Sequence, residues 1–190
     1  MPKQTDIIEP QEAQTLAGLF RCRVQRTPNS IAYHYYDERS KRWKDISWKQ
    51  AASTVARYQA ALARESLSPG DRVAIMMRNC PQWVMFEQAC NGLGLITVPL
   101  YTNDRTENIA YVLQDAGVKA LLIEGAEQLE QLSDIDSQID GLVRVLSLKP
   151  CKQYNRFSRL VTLEEWTQDI GELDASNLQN KDSKADDLTT

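Results

Sequence analysis

Between Pro69 and Glu124, three β-rich apolar runs, Val73–Met77, Leu95–Leu100 and Ala120–Ile123, alternate with two segments of helical periodicity. Consecutive parallel strands need a crossover long enough to bring the chain back, and a helix supplies it, so this alternation predicts stacked βαβ units. The expected fold class is α/β, a mostly parallel sheet with flanking helices. Val73–Met77 shows no polar alternation and is expected to be buried on both faces, with Leu95–Leu100 as a second buried strand. Pro99 lacks an N–H, which marks the end of that strand or a position without a ladder partner.

The flanking elements follow from local signals. Residues 1–14 are polar and carry Pro2 and Pro10, which predicts a flexible arm. A helix begins at Thr15 with an apolar stripe of Leu16, Leu19, Phe20 and Val24, and it stops at Thr27-Pro28-Asn29. Period-two patterning from Ile31 to Tyr36, a polar connection and a second extended piece over Arg42–Ile46 predict a β-hairpin. His34, the only histidine, reads as a strand residue, because no Ser, Cys or Asp constellation accompanies it. Ser47 and Gln50 have capping-box spacing for a helix that turns Ala51, Ala52, Val55, Tyr58 and Leu62 inward. Pro69-Gly70 suits the centre of a type II turn.

Pro81 fits the first turn of the next helix, which carries Trp83, Phe86, Cys90 and Leu93. Gly92 and Gly94 lie between a helix end and a strand start, the reverse of a dinucleotide fingerprint, and read as a helix stop. Asp104 and Glu107 read as a helix start, and Gly117 as a left-handed helix terminus. Further along, Gln128–Leu132 with Ile135 and Ile139 predicts another helix and Val143–Leu148 another strand. Lys149–Arg159 reads as a solvated loop and Leu160–Trp166 as a short segment at the edge of the core. The α/β unit is thus expected over 15–166, with 167–190 a polar tail that has no face to bury.

Composition removes several classes of function. The net charge of −4 and pI near 5.1 argue against nucleic acid as a partner. Cys22, Cys80, Cys90 and Cys151 are widely spaced and form no CxxC pair, so they read as thiols of a reducing cytoplasm rather than as metal ligands. No segment has the apolar length of a membrane span, and the expected location is cytoplasmic, with a parent protein at most peripheral to a membrane. In open parallel sheets ligands sit outside the carboxyl ends of strands, which singles out Arg78, Asn79, Thr102 and Asn103 as candidate binding residues. No catalytic residue and no metal ligand is expected within the chain.

Three segments, Ile46–Leu62, Ser68–Val84 and Cys90–Glu124, together resemble the N-terminal region of the adenylate-forming (AMP-binding) superfamily, in order and in spacing. Pro99-Leu100-Tyr101 most resembles its long-chain fatty-acid CoA ligases. The resemblance implies a two-step reaction: a carboxylate is joined to the α-phosphate of ATP with loss of pyrophosphate, then passed to the thiol of coenzyme A. It also implies ATP, Mg²⁺ and coenzyme A as cofactors and a fatty acid as substrate of a longer parent protein. The family's phosphate loop, Mg²⁺-associated acid, ribose-binding Asp and mobile lysine have no counterpart in this sequence. The family loop characteristically follows a segment like Ala185–Thr190.

The expectation is therefore an N-terminal fragment of such a ligase, catalytically incomplete and needing no cofactor by itself, with the rest of the parent chain as its partner. Two alternatives stay open: a non-catalytic module of the same family that binds a partner or acts as a scaffold, and an unrelated flavodoxin-like domain with a nucleotide or flavin. Another acyl- or aryl-adenylating member of the superfamily would also carry these segments. An incomplete sheet bares an edge or an apolar face, and such surfaces pair between chains. The 190-residue chain is accordingly expected to self-associate. Sedimentation velocity at high concentration should show species heavier than one chain, and a clean monomer would contradict this.

Overall fold

The strand β3, Arg72–Met76, runs through the middle of the molecule with Val73, Ala74, Ile75 and Met76 all at 0% exposure. A computed structural model describes residues 6–151 and 159–181 of the chain. The helices α1 (Pro10–Ala13) and α2 (Leu16–Arg26) lead into a hairpin of β1 (Ile31–Asp37) and β2 (Arg42–Ser47) and then α3 (Trp48–Leu62). After β3 come α4 (Pro81–Gly92), β4 (Ile96–Pro99), α5 (Thr106–Asp115), β5 (Val118–Ile123) and α6 (Ala126–Ser133). The strands β6 (Arg144–Ser147) and β7 (Leu160–Thr162) and the short helix α7 (Leu163–Thr167) complete the regular elements named here.

Five strands form one parallel sheet in the order β4-β3-β5-β6-β7, while β1 and β2 form a separate antiparallel pair. Strand alternation sorts the core into two layers. Val73, Ile75, Ala120 and Leu122 face α2, α3, α4 and α7, whereas Ala74, Met76, Leu121 and Ile123 face α5 and α6. Continuous apolar runs in β3 and β5 are what such two-sided burial requires.

Local signals act where they are expected. Ser47 Oγ accepts from the Gln50 N–H and Gln50 Oε1 from the Ser47 N–H, closing the capping box of α3. The Asp71 N–H donates to Ser68 O at 2.9 Å across a turn in which Gly70 takes φ +86°, as a type II turn demands. Gly94 and Gly117, at φ +70° and +58°, end the stretches that follow α4 and α5. Phe86, at 0% exposure, packs its ring against Tyr58 and Trp166, which brings α3 and α7 onto α4.

Several expectations need correction. Leu16 and Leu19 are 52% and 40% exposed, and the buried face of α2 is made by Ala17, Gly18, Phe20 and Val24. Helical period alone does not say which of two overlapping stripes meets the sheet layer. The strand β4 is an edge, bonded only to β3, with Thr97 buried but Ile96 and Val98 half-buried and Pro99 exposed, so the proline in it lies at the unpaired margin. Within the expected arm, residues 10–13 form a helical turn, and Asp6 pairs with Arg23 and Arg26 on α2. The helix α5 starts one residue later than expected, with Arg105 as its N-cap. Asp104 accepts instead from the Arg105 N–H and from Asn108 Nδ2. The helix α6 ends at Ser133, and Ile135 and Ile139 reach the core from a 3₁₀ turn, Asp136–Gln138.

The largest departure is the C-terminal segment. Ile170 is buried, and Leu173, Ala175 and Leu178 pack against the first core layer. Residues 167–181 thus lie along α3 rather than away from it, held by contacts more than a hundred residues apart in sequence, such as Ser53 Oγ donating to Leu173 O at 2.6 Å. Most of Lys149–Arg159 lies outside the described residues. Trp166, placed at the core's edge from sequence, is 8% exposed, and its indole N–H donates to Glu65 Oε1 at 2.7 Å.

Candidate functional site

A sheet whose second strand in sequence lies on one side of the first, and whose third lies on the other, has a switch point between the first and third. Here that point falls between β3 and β5, at their carboxyl ends. Ladder bonds continue past the strand ends: Leu100 N–H to Ile75 O at 2.9 Å, Leu148 N–H to Ile123 O at 3.0 Å and Lys149 N–H to Glu124 O at 2.9 Å. The loops after β3, β4, β5 and β6 are therefore held side by side.

Glu124 occupies the middle of this rim. Its carboxylate accepts from Arg78 Nε at 3.0 Å and Nη2 at 2.6 Å, a two-pronged guanidinium contact, and from Lys149 Nζ at 2.6 Å. The side chain of Glu124 is 13% exposed, while those of Arg78 and Lys149 are 76% and 56% exposed. The Arg78 hydrogen bonds, with Lys149 beside them, hold the Glu124 carboxyl down at about 2 against the opposing effect of burial. The same contact raises the Arg78 guanidinium further above its ordinary value. Two cations thus share one anion, and Glu127 and Glu38 add further negative charge around Arg78.

Of the residues singled out from sequence, Arg78 and Asn79 leave β3 exposed, and Asn103 is exposed with Thr102 half-buried in the loop after β4. All four lie at the carboxyl rim. No hydrogen bond joins Arg78 or Asn79 to Thr102 or Asn103 among the described residues. Sequence reasoning missed Glu124 and Lys149. The available signal was an acid at the first position after an apolar strand, one position short of the Arg78 that follows the neighbouring strand.

The other chemistry-bearing residues resolve into structure. His34 Nδ1 contacts Asp45, and its ring stacks on Trp43 at 4.7 Å, on the exposed face of the hairpin. Burial pushes the Cys80, Cys90 and Cys151 thiols up, away from the thiolate a nucleophile needs. Among the described residues no three His, Cys, Asp or Glu side chains gather as a metal site, and no helix is long and apolar enough to cross a membrane. An open groove of about 410 Å³, lined by Gly117, Lys119, Asp140 and Leu142 among others, lies at the amino ends of the strands, opposite the Glu124 rim.

A parallel sheet in this order, with helices on both faces and an antiparallel hairpin ahead of it, is the fold of the N-terminal part of adenylate-forming enzymes. It superposes on an anthranilate CoA ligase, AuaEII, solved with anthranoyl-AMP (TM-score 0.78, 14% identity, 96% of this chain and 33% of that one). It also superposes on coronafacic acid ligase of Pectobacterium brasiliense (TM-score 0.70, 18% identity, 82% of this chain and 30% of that one). The family model described as AMP-binding enzyme matches residues 20–190, and the chain belongs to that family.

Among curated relatives, fatty acyl-CoA synthetase A of Dictyostelium discoideum is 31% identical over 131 residues, 68% of this chain and 20% of the relative. Long chain acyl-CoA synthetase 1 of Arabidopsis thaliana is 28% identical over 163 residues, 84% of this chain and 22% of the relative. The long-chain-fatty-acid CoA ligase FadD15 of Mycobacterium tuberculosis is 26% identical over 106 residues, 56% of this chain and 18% of the relative. The chain thus spans about a fifth of the length of these relatives.

The Glu124 cluster makes a pH-dependent contribution. A carboxyl held at about 2 when folded and near its ordinary 4.5 when unfolded stabilises the fold above the unfolded value, and this is lost as pH falls from about 4.5 toward 2. Both cations are largely solvated, which limits the contribution to about 1 kcal/mol. Glu124→Gln should lower stability by about that amount at neutral pH and flatten the loss of stability across this window. Denaturant titrations at stepped pH will show it, and an unchanged acid slope would contradict it.

Proposed function

We propose that this chain is the first part of an AMP-forming long-chain fatty-acid CoA ligase. The observation that carries this reading is the family match across residues 20–190, together with relatives named as long-chain acyl-CoA synthetases. The whole enzyme would convert ATP, a fatty acid and coenzyme A into acyl-CoA, AMP and pyrophosphate, with Mg²⁺ on the phosphates, in the cytoplasm.

In this reading the chain is scaffold. Adenylation places negative charge on the phosphorus oxygens, and stabilising that charge takes converging donors and cations. The groups the family uses for that purpose have no counterpart among these 190 residues. Arg78, Asn79, Thr102 and Asn103 are the candidate contacts that the chain itself would bring to an anionic ligand. Glu124 would act on them indirectly, by fixing the Arg78 guanidinium in place. The fragment by itself neither adenylates nor needs a cofactor, and its natural partner is the rest of the parent chain. A non-catalytic module of the family would share every element of this fold and would differ only in lacking the catalytic segments downstream.

Fatty-acid-dependent ATP–pyrophosphate exchange tests the proposal. The protein translated through its complete reading frame should catalyse exchange with long-chain fatty acids in preference to aromatic acids, and the 190-residue chain should show none. Exchange by the short chain, or no fatty-acid dependence in the complete protein, would contradict it.

A further inference from the structure

Gln59 lies on the inner side of α3 at 1% exposure, where an amide without partners would be costly. Both of its polar atoms are satisfied by a single residue: Nε2 donates to Gln179 O at 2.9 Å and Oε1 accepts from the Gln179 N–H at 2.8 Å. A side-chain amide has the donor and acceptor of a peptide unit, and here it pairs with a peptide unit as a neighbouring strand would. Two residues on, the Lys181 N–H donates to Gly92 O at 2.9 Å.

Gly92 makes this approach geometrically feasible. A Cβ built there would collide with the Gln59 amide and would come within 2.6 Å of Gln179 O. This glycine has an ordinary helical backbone, so close approach, and not conformational freedom, is its reason for being there. Ala17, Phe20 and Val55 complete a slot between α2, α3 and α4 that also receives Leu178. Upstream, Ser53 Oγ donates to Leu173 O at 2.6 Å and Arg57 Nη2 to Thr167 O at 3.0 Å. Ser53, Arg57, Gln59 and Gly92 all meet this segment at backbone atoms.

We infer that the slot is a backbone-reading dock: it holds residues 178–181 chiefly by their peptide groups, with Leu178 as apolar anchor, so that the chain beyond Lys181 departs from a fixed point whatever side chain stands at 179. Hydrogen bonds to backbone supply affinity without reading sequence, and Leu178 supplies the apolar anchor. Such a dock works in the same way whichever carboxylate a parent enzyme activates. It accounts for how a stretch as polar as 174–181 is laid onto a core with little apolar surface of its own.

Backbone and side chain can be separated cleanly at one position. Gln179→Ala keeps the peptide N–H and C=O, and Gln179→Pro removes the N–H that Gln59 Oε1 accepts. Leu178 sits at φ −59° and ψ 121°, a conformation that a following proline accepts. The experiment is amide hydrogen exchange of the 190-residue chain, reading peptides that carry residues 173–178 by mass spectrometry, with the thermal midpoint of each variant measured alongside. Gln179→Ala should exchange at the wild-type rate over 173–178, whereas Gln179→Pro, Gln59→Leu and Gly92→Ala should exchange about tenfold faster or more, as expected for release of a locally held segment. If Gln59→Leu or Gly92→Ala lowers the thermal midpoint, the two Gln179 variants, which leave the core untouched, decide the matter. Gln179→Ala releasing the strap as fully as Gln179→Pro, or Gln179→Pro leaving it protected, would overturn the inference.

Discussion

Burial of β3 and β5 on both faces is the constraint on which the rest of the structure depends. An apolar strand covered on both sides must have helices above and below it, and those helices must be amphipathic. Val73 and Ile75 are covered by α3 and α4, and Ala74 and Met76 by α5 and α6. The outer strand β4 is bonded to β3, β7 to β6, and the hairpin lies against α3, so none of them organises the pair. That hierarchy agrees with a scaffold that keeps its fold at 14% to 18% identity to the solved ligases.

The same hierarchy explains what can be read from the sequence. Continuous apolar runs, the Ser47–Gln50 box, the Pro69-Gly70 turn and Gly117 are local signals, and each corresponds to an observed element. The errors share a different physical origin. Whether Leu16 and Leu19 face the core depends on how α2 is rotated against α3 and α4, which no window of α2 contains. Residues 167–181 are mostly polar and would be solvated alone; they dock because Ile170, Leu173, Ala175 and Leu178 reach the core and because Ser53, Arg57 and Gln59, far away in sequence, present donors and an acceptor to their backbone. The candidate site was legible only in part. The carboxyl-end rule locates Arg78, but the pairing of Glu124 with both Arg78 and Lys149 depends on strand order, since β5 lies between β3 and β6.

Family membership rests on the match over residues 20–190, much of which is scaffold. The segments that resemble the family are strands, helix faces and turns, and the most structured charge cluster, Arg78–Glu124–Lys149, satisfies its own charges to within one cation. Its physical role is to tie three loops together at the rim where an open parallel sheet receives ligands. At the opposite end of α4, Gly92 O and Gln59 fix the strap.

Native-state amide hydrogen exchange measures the central claim most directly, because it assigns an opening free energy to each strand. Amides of β3 and β5 should exchange only through global unfolding, with the slowest rates and a full denaturant dependence. Those of the edge strand β4 and of the β1–β2 hairpin should exchange through smaller openings at lower free energy. Hairpin or β4 amides protected as strongly as those of β3, or β3 amides exchanging through a local opening, would contradict a fold organised around the two-sided burial of β3 and β5.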